Sequence, residues 1–218
     1  MKTMTELVTG GLTGMSGTAT SGLTSLSTDE QRNRTHDFAV RSLNIDTCDD
    51  DPRVLALAEG CLKWLEGVRA GERPRWLSLL GLTGTGKTHC ARRLYRMTGA
   101  ASPPYHSTDF FPSFVHWPSM VDDLRSFERQ EEYRDMRRWP FLFLDDIMAE
   151  RDTTGFASEK LSTLLSTRAG RWTVLTSNLT LDQIARSDTR IADRMLRDGG
   201  VVVDVTAPSY ALRKRGLA

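Results

Sequence analysis

The sequence has few of the features that would place the protein in a membrane, outside the cell or around a structural metal. No stretch approaches the roughly 20 consecutive apolar residues of a membrane-spanning helix, and the N-terminus has no continuous apolar segment of the signal-peptide kind. The three cysteines are odd in number and show no CxxC spacing, which favours reduced thiols over a disulfide framework or a zinc site. We therefore expect a soluble, cytoplasmic protein without membrane contact.

The sequence also lacks an excess of charge of one sign. Its 218 residues carry 29 Lys and Arg against 28 Asp and Glu, a formal net charge of +1. The whole-molecule charge therefore does not require a nucleic-acid partner, and any basic surface must be local. The four histidines show no metal-ligand spacing. The length suits one main domain with a full core plus a tail.

The beginning of the chain differs in composition from the rest. Residues 1–30 are rich in Gly, Thr and Ser, and their apolar residues are too scattered to form a helical face, so they predict a flexible tail. Residues 31–50 contain short apolar groups without a clear period. We assign residues 1–35 to a tail that could dock a partner and residues 36–218 to one domain.

From residue 51 onwards, helical and strand patterns alternate. Asp51 before Pro52 predicts a helix start, and one apolar face then continues to about residue 68. Strands alternating with helices predict an α/β fold with a five-stranded, mostly parallel sheet. The strand candidates are RWLSLLG at 75, FVHW at 114, PFLFLDD at 140, WTVLTSN at 172 and VVVDVT at 201. Later helical patterns lie at 88–99, 119–137, 157–169, 181–186 and 189–197.

Two of the strand candidates show no alternation of apolar and polar residues. These are residues 141–144 and 201–203, and such uniform runs are typical of strands that are covered on both faces. Thr180 and Gln183 match a capping box at the start of the 181–186 helix.

A glycine-rich loop joins the first predicted strand to the next helix. Residues 81–88, GLTGTGKT, satisfy G-x-x-x-x-G-K-[ST] in the strand-to-helix context that this phosphate-binding motif requires. The loop amides and the helix start can hold phosphates, Lys87 can reach the outer phosphates, and the Thr88 hydroxyl can bind magnesium. The alternative is a glycine-rich turn without a ligand. The candidate nucleotide contacts are Gly81, Gly84, Thr85, Gly86, Lys87, Thr88 and His89.

The run FLFLDDI ends a predicted buried strand in two aspartates. Ligands of α/β sheets lie at the carboxyl ends of the strands. Asp145 is therefore placed to hold magnesium through water, and Asp146 to orient or deprotonate an attacking water. The alternative is that both aspartates are solvated residues of a strand-end turn without a catalytic role. The neighbouring glycine-rich loop favours the catalytic interpretation.

Two later segments add polar groups that suit hydrolysis. The run TVLTSN ends a strand at Asn178, whose amide could bind the γ-phosphate or the attacking water, with a turn or capping residue as the alternative. In TRIADRM, Arg190 and Arg194 lie four residues apart and hence on one face of a helix. Such a pair is normally solvated, but an arginine that acts on a neighbouring subunit's γ-phosphate recurs in P-loop ATPases.

Taken in order, GLTGTGKT, FLFLDDI, TVLTSN and TRIADRM…VVVDVTAPSY resemble the AAA+ ATPases of the DnaC/IstB type, which are bacterial and phage helicase loaders and transposition helper ATPases, with DnaA as a wider relative. The resemblance covers about residues 50–212. It implies a three-layer AAA+ P-loop sandwich without a C-terminal lid domain, and ATP and Mg²⁺ as ligands. In this family Lys87 and Thr88 would belong to Walker A, and Asp145 and Asp146 to Walker B.

The resemblance further implies a homo-oligomer in which one subunit completes the site of the next. Asn178 takes the position of sensor 1, and Arg194 that of the arginine finger, with Arg190 in reserve. Relatives commonly carry a nucleotide-sensing arginine immediately after Ser-Tyr near the C-terminus. That position is Ala211 in this chain, and Arg213 could replace it only if the chain path shifts.

For function, the resemblance implies an ATP-dependent switch that loads a replicative DNA helicase onto single-stranded DNA during DNA replication. An IstB-like transposition helper, a small P-loop nucleotide or small-molecule kinase, and an ATP-binding scaffold with negligible turnover are the alternatives. Arginines and aromatics at 119–139 would suit single-stranded DNA, but the acids equal the arginines to within one and favour a solvated amphipathic helix. The tail is shorter than the helicase-docking region of the loaders.

Overall fold

The structure is a computed structural model that describes residues 27–45, 51–101, 113–150 and 152–217. Of the tail that the composition predicts over residues 1–30, residues 1–26 lie outside this part of the chain. No helix within the described ranges is long and apolar enough to cross a membrane.

The first described element is a helix that the sequence pattern did not predict. Helix α1 spans Thr28–Arg41, and Ser27 and Glu30 form a capping box at its start. Only Thr35 and Ala39 of this helix are buried, so its sequence carries no apolar period. The helix crosses residue 35, where the sequence analysis divided the tail from the domain.

Helix α2 spans Pro52–Ala70 and confirms the predicted start at Asp51. The Asp51 carboxylate accepts the Arg53 N–H at 3.0 Å, and Pro52 occupies the first turn, where a missing N–H has no cost. Gly71 ends the helix in the left-handed region at φ +71°. Trp64 of this helix lies in the core, and its Nε1 donates to the Arg75 carbonyl at 3.0 Å.

Five parallel strands form the central sheet in the order β2-β3-β4-β1-β5. This confirms the predicted α/β fold with a five-stranded, mostly parallel sheet, since every pairing of these strands is parallel. The strands are β1 Trp76–Gly81, β2 Ser113–His116, β3 Phe141–Asp145, β4 Trp172–Thr176 and β5 Val201–Val205.

The remaining helices follow the predicted alternation with three corrections, the first of which is α9 at Tyr210–Lys214, a helix that the sequence pattern did not predict. Helix α3 continues two residues past Gly99, and the single helix predicted at 119–137 is two helices. Phe127 and Arg129 adopt positive φ in the intervening turn, which local apolar spacing does not reveal. The helices are α3 Lys87–Ala101, α4 Trp117–Arg125, α5 Gln130–Met136, α6 Phe156–Thr167, α7 Leu181–Ser187, α8 Thr189–Leu196 and α9 Tyr210–Lys214, with a 3₁₀ turn at Arg197–Gly199.

The sheet separates two apolar cores and forms the middle of three layers. Helices α1, α2 and α3 cover one face, and α4 to α8 cover the other. Strand β3 is buried along its whole length, as its uniform apolar run predicts. The same expectation for residues 201–203 is only partly met. Strand β5 lies at the sheet edge, so Val201 and Val202 remain partly exposed although each packs on a core.

Candidate functional site

The parallel sheet brings the ends of distant strands to one edge. In register, His116 at the end of β2 pairs with Asp145 at the end of β3, while Leu79 of β1 pairs with Thr176 at the end of β4. The glycine-rich loop follows β1, Asp146 follows β3 and Asn178 follows β4. Segments that are far apart in sequence therefore meet at the carboxyl edge, where α/β sheets bind their ligands.

A cavity of about 600 Å³ opens at this edge. Its volume lies within the range of about 300–1,000 Å³ that is usual for small-molecule sites. Residues 83–89, Asp146 and Asn178, which the sequence pointed out, line part of it. Asn44, Ile45, Val54, Tyr210 and Arg213 complete the lining.

The loop conformation requires two of its glycines for space as well as for backbone angle. Gly81 adopts φ +108° and Gly84 adopts φ +77°. A Cβ on Gly81 would lie 2.3 Å from the Val205 carbonyl oxygen, and one on Gly84 would lie 2.5 Å from Ser209 Oγ. The loop is thus wedged between the end of β5 and the start of α9, which leaves no room for side chains at these two positions.

Lys87 is buried at the base of the loop with 5 % of its surface exposed. Its Nζ donates to the carbonyls of Gly81 at 2.8 Å and Leu82 at 2.6 Å. Burial lowers the pKa of Lys87, while the charges of Asp146 and Asp145 act in the opposite direction. A desolvated ammonium inside a loop of backbone amides favours an anionic ligand such as phosphate.

Hydroxyl and amide groups connect the two aspartates to the loop and to β4. Thr88 Oγ1 and Thr176 Oγ1 donate to the same Asp145 oxygen at 2.8 and 2.7 Å, and Thr176 Oγ1 also accepts the Asp146 N–H at 2.9 Å. Asn178 Nδ2 donates to Asp146 Oδ1 at 3.2 Å. The Thr88 hydroxyl and the Asp145 carboxylate are neighbouring oxygen donors of the kind that Mg²⁺ prefers, so these two residues fit that ion.

The two aspartates have different environments. Asp145 is buried with 3 % of its surface exposed, whereas Asp146 turns into the cavity through a left-handed backbone at φ +58°. His116 Nε2 lies 3.9 Å from Asp146 Oδ2, and its Nδ1 lies 2.9 Å from Ser119 Oγ. The sequence analysis did not select His116. Its position at the end of β2, next to β3, is the signal that would have found it.

His89, which the sequence suggests as a nucleotide contact, lines the cavity and also positions its outer wall. Its Nε2 lies 2.6 Å from the Leu43 carbonyl oxygen, and Arg93 Nε donates to the Ser42 carbonyl at 2.8 Å. Helix α3 thereby holds the end of α1 so that Asn44 and Ile45 reach the cavity.

The two arginines of α8 lie away from this lining. Arg190 is exposed and pairs with Asp188, the residue that caps the helix. Arg194 Nε is buried and has no hydrogen-bond partner within the described ranges. Neither arginine lines the cavity of its own chain. Action on a neighbouring subunit remains the prediction for Arg194, with Arg190 in reserve.

Two of the five arginines at 119–139, Arg125 and Arg129, pair with neighbouring acids. Arg129 donates to Asp123 at 2.9 Å and to Glu132 at 2.6 Å, and Arg125 donates to Asp122 at 3.2 Å. These pairs neutralise the charge that phosphate contacts would use, which agrees with the solvated-helix interpretation.

Near the C-terminus, Arg213 faces the cavity and Ala211 does not. Ala211 is exposed and outside the lining, whereas Arg213 lies in it. The Tyr210 N–H donates to the Gly84 carbonyl at 2.7 Å, which fixes the start of α9 on the glycine-rich loop. This contact gives the chain path that brings Arg213 inward.

The sheet order, the loop between β1 and α3, and the aspartates after β3 define a P-loop nucleotide-binding fold. No protein-family model matches the sequence, and the search of curated proteins returned no match. Solved structures do resemble it in fold.

Three of these structures illustrate the likeness. DnaI superposes with a TM-score of 0.58 at 22% identity, over 79% of this chain and 92% of that chain. The replication initiator DnaA, bound to AMPPCP and single-stranded DNA, gives 0.57 at 16% identity, over 81% and 56%. The DnaC helicase loader gives 0.50 at 16% identity, over 65% and 86%. At these identities the likeness shows the fold alone.

Proposed function

We propose that this protein is an oligomeric, Mg²⁺-dependent ATPase of the DnaC/IstB type that loads a replicative DNA helicase onto single-stranded DNA. The observation that carries the ATPase part is the hydrogen-bond network from Thr88 through Asp145 and Thr176 to Asp146 and Asn178 beside the glycine-rich loop. The replication role is supported by the fold shared with DnaI, DnaA and the DnaC helicase loader.

Each group of this network has a role in hydrolysis. The loop amides and Lys87 bind the phosphates, and Thr88 and Asp145 hold Mg²⁺, which supplies charge neutralisation when bound. Asp146 orients the attacking water and accepts its proton. Asn178 donates to one oxygen of Asp146 and leaves the other oxygen for this task. His116 Nε2 lies 3.9 Å from that second oxygen and is placed to fix the orientation of the Asp146 carboxylate.

The ATPase part is tested by turnover and by product identity. We expect ATP hydrolysis to ADP and phosphate that rises when single-stranded DNA is added. A parallel screen offers nucleosides, nucleotides and small alcohols as phosphate acceptors. Stoichiometric transfer to an acceptor would support a kinase instead, and tight ATP binding without turnover would support a scaffold.

The oligomeric part is tested by mixing two inactive proteins. Arg194→Ala should bind ATP normally, because its own cavity is intact. It should hydrolyse ATP poorly, because each subunit lacks the arginine that its neighbour would supply. Mixing it with Lys87→Ala should restore part of the activity, since one interface of the mixture combines an intact cavity with an intact Arg194. Arg190→Ala, exposed on the same helix, tests the reserve position, and Arg186→Ala, exposed on α7, is the control. No recovery in mixed oligomers shown to form would exclude action of Arg194 between subunits.

The helicase part is tested by capture and transfer. We expect the ATP-bound protein to capture the replicative helicase of the same genome and to increase the amount of helicase on circular single-stranded DNA. A second version lacks residues 1–26 but keeps the capping box at Ser27 and Glu30, so that α1 remains intact. Capture that depends on residues 1–26 assigns docking to the tail. Absence of capture by either version would favour the transposition-helper alternative.

A further inference from the structure

The end of the chain contacts the cavity at two points that the proposed ATPase roles do not use. The first is the start of α9, where the Tyr210 N–H donates to the Gly84 carbonyl of the glycine-rich loop. The second is one helical turn later, where Arg213 lines the cavity and approaches Asp51 at the start of α2. Helix α9 therefore connects the loop to the first turn of α2.

The Arg213 guanidinium is held in a position where its hydrogen-bonding capacity is poorly used. Only 15% of its side chain is exposed, and its Nη1 lies 3.6 Å from Asp51 Oδ2, which is beyond normal hydrogen-bond length. Its Nε is buried and has no partner among the residues that the structure describes. A buried donor without an acceptor is costly, so this arginine would gain from a second acceptor in the cavity.

Asp51, for its part, is already satisfied by other groups. Its carboxylate accepts from Arg53 Nε at 2.9 Å and Arg53 Nη2 at 3.0 Å, and it caps α2 through the Arg53 N–H at 3.0 Å. The hydrogen bond from Arg53 is the largest cause that lowers the pKa of Asp51, and the charge of Arg213 contributes least. Asp51 can release Arg213 and keep its main partner.

We propose that Asp51 is an internal competitor of the nucleotide for Arg213, and that Arg213 exchanges this carboxylate for phosphate oxygens when a nucleoside triphosphate binds. The guanidinium fork matches phosphate better than the single long contact it makes with Asp51, because phosphate offers several acceptors to Nε and Nη together. The proposal rests on the nucleotide site described under the proposed function.

The exchange has a consequence for α9. The same short helix is anchored to the glycine-rich loop through Tyr210, so the loop, Arg213 and the start of α2 respond to the ligand together. A bound nucleotide loosens the link between α9 and α2, whereas removal of the nucleotide restores it. The two charged partners must therefore act on nucleotide affinity in opposite directions.

The experiment measures the affinity of the full-length protein for a fluorescent ATP analogue by anisotropy. Arg213→Met keeps the apolar stem and removes the donors, and we expect a loss of about tenfold, the size of one charged hydrogen bond. Asp51→Asn preserves the helix cap, because Asn caps as well as Asp, and we expect a gain of about threefold. Arg215→Met, exposed immediately after the same helix, is the matched control and should change nothing.

Opposite shifts for the two variants support the exchange. A loss of affinity in both, or unchanged affinity with a lowered Tm in both, would overturn it and leave a structural ion pair. The affinity measurement needs only binding of the analogue. If the protein binds it but neither hydrolyses ATP nor recruits a helicase, only the proposed function fails. If the parent protein does not bind the analogue, both proposals fall.

Discussion

The two sides of the cavity are held in different ways. The inner side, lined by residues 83–88, Asp146 and Asn178, follows directly from three neighbouring parallel strands. Side-chain hydrogen bonds of 2.7–3.2 Å connect it through Asp145 and Thr176 behind it. The outer side, formed by residues 43–45, Val54 and residues 210–213, is assembled from helix ends.

We infer that the inner side carries the reaction and that the outer side adjusts the affinity for the ligand. The groups that we propose to hold phosphate and water lie on the inner side, where the strands and the network leave little freedom. The outer side depends on a few contacts, among them His89 with the Leu43 carbonyl, Tyr210 with Gly84, and Arg213 with Asp51. Changes on the inner side should therefore reduce turnover or binding strongly, whereas changes on the outer side should adjust affinity.

The largest effect should come from Asp146→Asn. We expect kcat to fall by a factor of about 10²–10⁴, the range for loss of a general base, while ATP affinity stays within about twofold. Asparagine keeps an oxygen that can accept from Asn178, so the network should survive. Steady-state hydrolysis and calorimetric ATP binding measure the two quantities, with Asp182→Asn, an exposed aspartate on α7, as the control. Hydrolysis at the parental rate would place the base elsewhere.

The next effect should come from Lys87→Ala, which should weaken ATP binding by about 30-fold or more because a buried charged donor to phosphate is lost. Folding should survive, since removal of the side chain also removes the cost of burying its charge. Calorimetry and a melting curve measure affinity and stability. Lys63→Ala, exposed on α2, is the matched control. Equal ATP affinity in the variant and the parent would contradict the inner-side assignment.

The inner side of the cavity was predictable from the sequence, and the outer side was not. The sheet, the loop and the inner-side residues were predictable because uniform apolar runs mark buried strands and because parallel register brings strand ends together. Asn44 and Ile45 were not, since they follow α1, which has no apolar period. The contact that positions them uses the Leu43 carbonyl, a backbone acceptor that any residue would supply.

The position of Arg213 shows a second limit of sequence reasoning. Alignment by motif selected Ala211, but the Tyr210–Gly84 hydrogen bond sets where α9 begins, and one further turn of helix brings Arg213 to the cavity. The break between α4 and α5 has the same origin, because Arg129 stabilises the turn through side chains on both helices. Long-range contacts decide these points, and local spacing does not record them.

A change at the junction of the two sides should have an intermediate effect. Gly84→Ala places a Cβ 2.5 Å from Ser209 Oγ, whereas Gly170→Ala, at nearly the same φ, has no atom within 4 Å among the described residues. In both variants the positive φ destabilises alanine to a similar extent. The difference between their free energies of unfolding therefore isolates the contact with α9. We expect Gly84→Ala to lower the free energy of unfolding by about 1–2 kcal/mol more than Gly170→Ala.

The rescue of that variant tests the cause. Adding Ser209→Gly to Gly84→Ala removes the clashing atoms, and glycine is tolerated at the start of a helix. We expect the double variant to recover most of the difference in a urea unfolding experiment. If Ser209→Gly gives no recovery, the loss arises within the loop and α9 is not packed on Gly84 in solution.

The smallest effect should come from Asn44, which lies on the outer side with φ +56° and is exposed at the edge of the cavity. Asn44→Gly removes the side-chain amide without backbone strain, because glycine also tolerates this conformation. Since the proposed phosphate site is the loop on the inner side, we expect the amide to contact the base, and its loss to weaken ATP binding by about threefold. Parallel titrations with ATP and GTP measure this contact. A narrowed preference between the two nucleotides assigns Asn44 to base recognition, whereas an equal loss for both, or none, would leave the outer side without a specificity-determining residue at this position.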